Sequence, residues 1–143
     1  MGSTNVETYR AGHEAFNRRD FDAMVKEYAE RISWIDQARG LTFRTPREFK
    51  DEFLEGWIHA SSDCQVTDAR YTDAGEIVVA RFTARGTNDG PLGPFPATGK
   101  EWTLRICEMW RFAADGRVVG GEIYYDQLSL LTQLGLLPEP SSV

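Results

Sequence analysis

Apolar residues recur at helical spacing in the first third of the chain and fall to simple alternation in the second half. In "TNVETYRAGHEAFNRRDFDAMVKEYAE", Val6, Tyr9, His13 and Phe16 repeat every three or four positions, which predicts a helix opened by Ser3 or Thr4. Asp20 reads as a second cap, leading into Phe21, Met24, Val25 and Tyr28. "ISWIDQ", from Ile32 to Gln37, is rich in branched and aromatic residues and predicts a short strand. "RTPREFKDEFLEGWIHA" gives the clearest helix signal. Thr45 is the cap, Pro46 takes the first helical position, and Glu48 stands where a capping box needs an acid. Phe49, Phe53 and Trp57 then share one face.

From Cys64 onward, "CQVTDARYT", "EIVVARFTARGT", "EWTLRICEMWRF" and "RVVGGEIYYD" predict four strands. "TDAGE" and "AADGR" read as hairpin turns. "NDGPLGPFPATGK" is too long for a tight turn and reads as a loop able to cover a site. Gln127 to Leu137 closes the pattern as a helix ending near Pro138. Helices first and strands afterwards imply an α+β fold rather than alternating βα units.

Side chains alternate across a strand, so parity sorts the faces. Between Glu101 and Phe112 the even residues are Trp102, Leu104, Ile106, Glu108, Trp110 and Phe112, an apolar face carrying one carboxylate. Between Ile77 and Asn88 the even set again faces inward, while Arg81, Thr83 and Arg85 face out. The last strand fits either choice. Its even face would bring Glu122 and Asp126 inside with Glu108, and its odd face would leave both acids solvated.

The length of 143 residues fits a single domain spanning 1–143, and the hydrophobic fraction of 41% is ordinary for a globular chain. Twenty-two acids against 16 bases give a net charge of −6 without a basic cluster, which argues against a nucleic-acid partner. No long apolar run suggests a signal peptide or a membrane span, so a cytoplasmic protein is expected. Cys64 and Cys107 form no zinc-ligand spacing and read as reduced, buried thiols.

The helical N-terminus, the alternating strands, "RGTNDGPLGPFPATGKEWTLRICEMWRF" and "ADGRVVGGEIYYDQLSLLTQLGLLP" together resemble a SnoaL-like polyketide cyclase, over roughly residues 5 to 138. These cyclases belong to the nuclear-transport-factor-2-like superfamily. The resemblance implies a conical half-barrel of curved antiparallel sheet, with N-terminal helices over a deep apolar pocket and a short C-terminal helix. It also implies a homodimer, no metal and no organic cofactor. The implied activity is intramolecular aldol closure of a polyketide-like, apolar or aromatic substrate, and Asp126 matches the family's strand-end acid/base. That assignment favours the even face of the last strand. Many relatives carry His after the Gly-Thr pair, whereas this chain has Asn88 after Gly86 and Thr87.

A single carboxylate in an apolar pocket can take a proton next to a carbonyl and return it to the new alkoxide. Asp126 and Glu108 are therefore the candidate catalytic residues, with helix capping the competing role for Asp126. Asn88 and Tyr124 are candidates for orienting a substrate oxygen, Glu122 is a substrate-site candidate that reads as a rim or structural carboxylate, and Trp34, Trp57, Phe82 and Trp110 are candidates for the pocket wall. His59 is a weaker substrate-binding candidate, because a histidine at a helix end suits the dipole. His13 carries no motif. Other superfamily reactions (epoxide hydrolysis, isomerisation, hydroxylation) and a non-catalytic ligand-binding dimer are the alternatives.

Overall fold

The computed structural model describes residues 4–138. Ser3, one of the two candidate caps, lies outside them, and Thr4 is the first residue of α1 (Thr4–Asn17). Of the expected stripe on α1, Tyr9, His13 and Phe16 are buried and Val6 is half-buried. Asp20 caps α2 (Phe21–Met24) by accepting the Ala23 N–H at 3.1 Å. Strand β1 (Tyr28–Asp36) starts at Tyr28 rather than Ile32, and it pairs with β2 (Leu41–Phe43), a strand too short for its alternation to be visible in sequence.

Thr45 caps α3 (Pro46–Glu48) as the pattern predicts. The Glu48 carboxylate reaches the Arg44 N–H, one residue outside the cap, rather than that of Thr45. The chain then widens into a π-helical segment, Phe49–Leu54, before tightening again as α4 (Glu55–Ala60). Longer i→i+5 turns change which side chains share a face. Phe49, Phe53 and Leu54 all turn inward here.

The remaining strands are β3 (Gln65–Asp73), β4 (Ile77–Thr87), β5 (Glu101–Phe112) and β6 (Val118–Tyr124). They form one six-stranded sheet in the order β2-β1-β6-β5-β4-β3. It does not close, and it is not wholly antiparallel as expected: β1 lies parallel to β6. The inward even faces of β4 and β5 are as predicted, with Val78, Ala80, Phe82, Trp102, Leu104, Ile106, Trp110 and Phe112 all buried.

The ambiguity of the last strand has a physical cause. Phe112 pairs with Val118 and Arg111 pairs with Gly120, which leaves Val119 as an extra residue in β6. Such a bulge moves every later side chain to the opposite face. Val118 points inward before it, and Ile123 points inward after it. The even-face assignment is therefore corrected beyond Val119, and Glu122 and Tyr124 stand on the outer face.

Helix α1 lies against the inner face of β5. The Tyr9 ring stacks on Trp110 with centroids 4.2 Å apart and planes 9° from parallel. Gly12 makes this approach possible, since a Cβ there would sit 2.6 Å from the Trp110 ring. The Asn17 amide then ties the end of α1 to β3, donating to Val66 C=O at 2.9 Å and accepting its N–H at 2.8 Å. Helix α5 (Gln127–Gln133) is shorter than predicted. It ends in a Schellman turn, with Gly135 at φ 78° and bonds from Gly135 N–H to Thr132 C=O and from Leu136 N–H to Leu131 C=O. Gln133 docks α5 on β5 by pairing with both backbone groups of Thr103.

Candidate active site

Glu108 is the one carboxylate on the inner face of β5. Ala80 stands opposite it on β4, Ile123 opposite it on β6, and the residue is only 4% exposed. Two groups from α1 meet one of its oxygens. Tyr9 O–H donates to Oε1 at 2.6 Å, and His13 Nε2 lies 3.3 Å from the same atom. On the other side of the imidazole, Nδ1 is 2.7 Å from the Tyr71 hydroxyl of β3. One proton arrangement satisfies the set: Tyr71 O–H donates to Nδ1, and Nε2–H donates to Glu108. Burial first, and then the charge of Glu108, raise the Tyr9 and Tyr71 phenols above their ordinary 10.0, so both remain donors. Glu108 Oε2 receives no hydrogen bond among the described residues.

A cavity of about 40 Å³ opens beside this carboxylate. Phe16, Met24, Phe49, Phe53 and Ile106 supply much of its wall, and the ionisable groups on it are Glu108, His13 and Cys64. Burial pushes the Cys64 thiol from 9.0 to about 12, so it is a neutral wall group. At roughly 10–15 Å³ per water, the space holds a few waters, so an organic ligand requires the wall to widen. Trp57 and Val66 are the half-buried members of the wall and mark its approach to the surface. No group of three or more His, Cys, Asp or Glu suited to a metal occurs among the described residues.

Glu108, Trp57 and Phe82 are the predicted site residues that line this cavity. Asp126 does not point inward. Its carboxylate is exposed and accepts the Ser129 N–H at 3.0 Å as the cap of α5. Glu122 accepts from Gln37 at 3.1 Å and from Tyr124 at 2.5 Å on the outer face, away from Glu108. The bulge at Val119 is what separates these acids. Asn88 is buried, but its amide is fully engaged: it donates to Ala60 C=O and Gly90 C=O and accepts from the Thr98 N–H and hydroxyl. It fastens the 88–100 loop rather than presenting itself to a ligand. Trp34 and Trp110 are completely buried in the packing behind the cavity, and His59 is exposed on α4, off the cavity wall.

Sequence reasoning placed His13 in an apolar stripe without giving it a role, and it missed Tyr9 and Tyr71. An ionisable residue inside an apolar helical stripe was the available signal, but its partner lies 95 positions away.

The SnoaL-like domain model matches residues 9–120. The chain belongs to the SnoaL-like domain family. The match stops short of Asp126, so the strand-end acid falls outside the matched residues. A proposed polyketide cyclase from Xanthomonas campestris pv. campestris is 26% identical, with a TM-score of 0.79 over 91% of this chain and 96% of that one. AclR, a proposed hydroxylase from Streptomyces galilaeus, is 23% identical, with a TM-score of 0.81 over 96% and 84% of the two chains. TerC, crystallised with polyporic acid, is 20% identical, with a TM-score of 0.75 over 93% and 99%. No curated protein matches the chain. The shared fold is the NTF2-like cone, an α+β architecture with an open, curved sheet. No helix among the described residues is long and apolar enough to cross a membrane.

Proposed function

We propose that this member of the SnoaL-like family is an acid/base enzyme whose proton carrier is Glu108, acting on an apolar, enolisable carbonyl compound. The observation that carries this reading is a buried carboxylate on the wall of an apolar cavity, with one oxygen held by Tyr9 and His13 and no hydrogen bond to the other among the described residues. Intramolecular aldol closure of a polyketide-like substrate fits the set without further groups. Oε2 removes a proton from the carbon next to a carbonyl, the enolate carbon attacks a second carbonyl, and the carboxylic acid returns the proton to the alkoxide. The proton balance closes on one residue. Tyr9 and His13 fix the carboxylate orientation, and the His13–Tyr71 pair leads towards half-buried β3 and can re-equilibrate the proton with solvent.

Glu108, Glu122 and Asp126 do not come together, which weighs against a hydrolase that needs several acids around one water. The name of the cyclase-like Xanthomonas relative supports ring closure as the reaction class. The test is Glu108→Gln against a panel of linear aryl poly-β-ketones and aryl epoxides. Glu108→Gln is expected to lower turnover on a β-ketone by about 10²-fold or more. Full turnover in that variant would remove the proposal, and turnover of epoxides alone would replace the reaction class.

A further inference from the structure

Trp57 separates two voids. One is the Glu108 cavity, and the other, of about 20 Å³, is lined by Arg39, Gly56, Leu92, Tyr125, Gln127 and Leu130. Trp57 is the single residue common to both walls. Ring contacts hold it: Tyr125 at 5.4 Å, Trp102 at 5.6 Å and Phe53 at 6.3 Å between centroids. No hydrogen bond anchors its indole N–H among the described residues. Its neighbour Gly56 has open space where a Cβ would stand, and the π-helical segment ends two residues earlier, at Leu54.

The outer void is lined by a cation, Arg39, and an amide, Gln127, where the inner one carries Glu108 and His13. Asp36 is completely buried and accepts the N–H groups of Ala38 and Arg39, each at 3.1 Å. It also accepts Tyr125 O–H at 2.9 Å and Arg39 Nε at 2.7 Å. Asp36 thus holds Arg39 through Nε, the Tyr125 hydroxyl is a second partner of the guanidinium, and the Arg39 side chain, about a third exposed, lines the outer void at the surface. Gln127 Oε1, on the same wall, is buried and accepts no hydrogen bond. A buried acceptor of this kind calls for a donor.

We propose that the two voids are compartments of one binding site, joined when Trp57 swings aside, whose outer end takes an acidic group of an elongated apolar substrate. The anionic oxygen pairs with Arg39, and an adjacent hydroxyl donates to Gln127 Oε1. The inner wall carries Glu108 with no Lys or Arg on it, whereas at the outer end Arg39 screens Asp36, so the direction of entry is neutral carbonyl end inward, acidic end outward. The substrate class is therefore a rod-like, largely apolar hydroxy acid with an enolisable carbonyl at its far end. This inference rests on the acid/base reading of the Glu108 cavity.

The experiment measures binding, so its failure leaves the turnover test of Glu108 standing, and the converse also holds. The probes are 4-phenylsalicylate and its neutral counterpart 4-phenylsalicylamide, titrated by calorimetry at neutral pH. The protein is expected to bind the anion about tenfold more tightly than the amide. Arg39→Gln abolishes that preference and changes amide affinity less than about twofold, and Trp57→Ala strengthens binding of both probes. Arg39→Gln leaves Asp36 without its cation, so a wild-type measurement runs beside it. The Arg39 Nε–H and Trp57 indole N–H resonances are expected to shift on titration with 4-phenylsalicylate. Equal affinity for the two probes, or unmoved Arg39 and Trp57 resonances, overturns the proposal.

Discussion

Tyr9 donates its phenolic hydrogen to Glu108 Oε1 at 2.6 Å, joining the first helix to the middle of β5 across 99 positions of sequence. The bond lies under a stacked Trp110 and away from water, so Glu108 Oε1 keeps only His13 once the phenol hydroxyl is removed. Tyr9→Phe deletes this donor with little change of shape. It is expected to cost about 1–2 kcal/mol in urea denaturation. On a substrate identified through the Glu108 test, it should lower kcat by roughly tenfold with KM little changed, because it loosens the proton carrier rather than the cavity wall. Unchanged kcat alongside lost stability would make the bond purely structural.

Asp126→Ala separates capping from proton transfer. Loss of the Ser129 N–H bond at the start of α5 should cost about 1 kcal/mol of stability. Turnover should stay within about twofold of the parent, since a cap substitution of that size leaves the Glu108 cavity intact. A collapse in turnover without loss of stability would return the proton-carrier role to Asp126.

The fold was legible where periodicity is local and regular. The capped helix at Thr45 and the inward faces of β4 and β5 follow directly from spacing. The direction of Glu122 was not legible, because one extra residue at Val119 inverts the face and leaves both parities looking apolar. Glu108 stood out because it interrupts an otherwise apolar face. Its partners Tyr9, His13 and Tyr71 did not, since only the packing of α1 across the sheet brings them together. The Asp36–Arg39–Tyr125 group, in which only Asp36 is buried, was hidden for the same reason, its members coming from the end of β1, the following turn and the entry to α5.

Asn88 offers a test of the loop that follows it. Asn88→Ala removes four hydrogen bonds and leaves the Gly90 carbonyl and the Thr98 N–H without their partner, while the Ala60 carbonyl keeps the Gly90 N–H. A loss of about 2 kcal/mol or more is expected. Limited proteolysis should then cut between residues 89 and 99 faster than in the parent protein. Unaltered cleavage would show that the loop is held by other means.

Stability should fall on the alkaline side. Cys64 is raised from 9.0 to about 12, and Tyr9, Tyr28 and Tyr125 are raised above 10.0, in each case with burial as the largest cause. These groups hold their protons in the folded protein at pH values where the unfolded chain has lost them. Their contribution is complete below pH 9 and declines as pH rises, first through Cys64 and then through the tyrosines. Each fully buried group adds a slope of up to about 1.4 kcal/mol per pH unit. Urea midpoints across the alkaline range check this, and Cys64→Ala should flatten the earliest part of the decline. A midpoint constant from neutrality to about pH 10.5 would contradict it.

The parallel pairing of β1 with β6 also dictates an order of events on the ribosome. Strand β1 has β2 on one flank, and its other flank is completed by residues 118–123, near the far end of the described chain. While the chain is being made, β1 and β2 wait as an isolated two-stranded ribbon, a form with little stability of its own. The sheet that carries Glu108 can assemble from β3 to β6 as successive antiparallel neighbours, but the first ribbon docks only after β6 has emerged. Truncation before Gly120 should therefore release β1 and β2 together, and nascent chains of that length should bind chaperones through Ile32, Trp34 and Phe43.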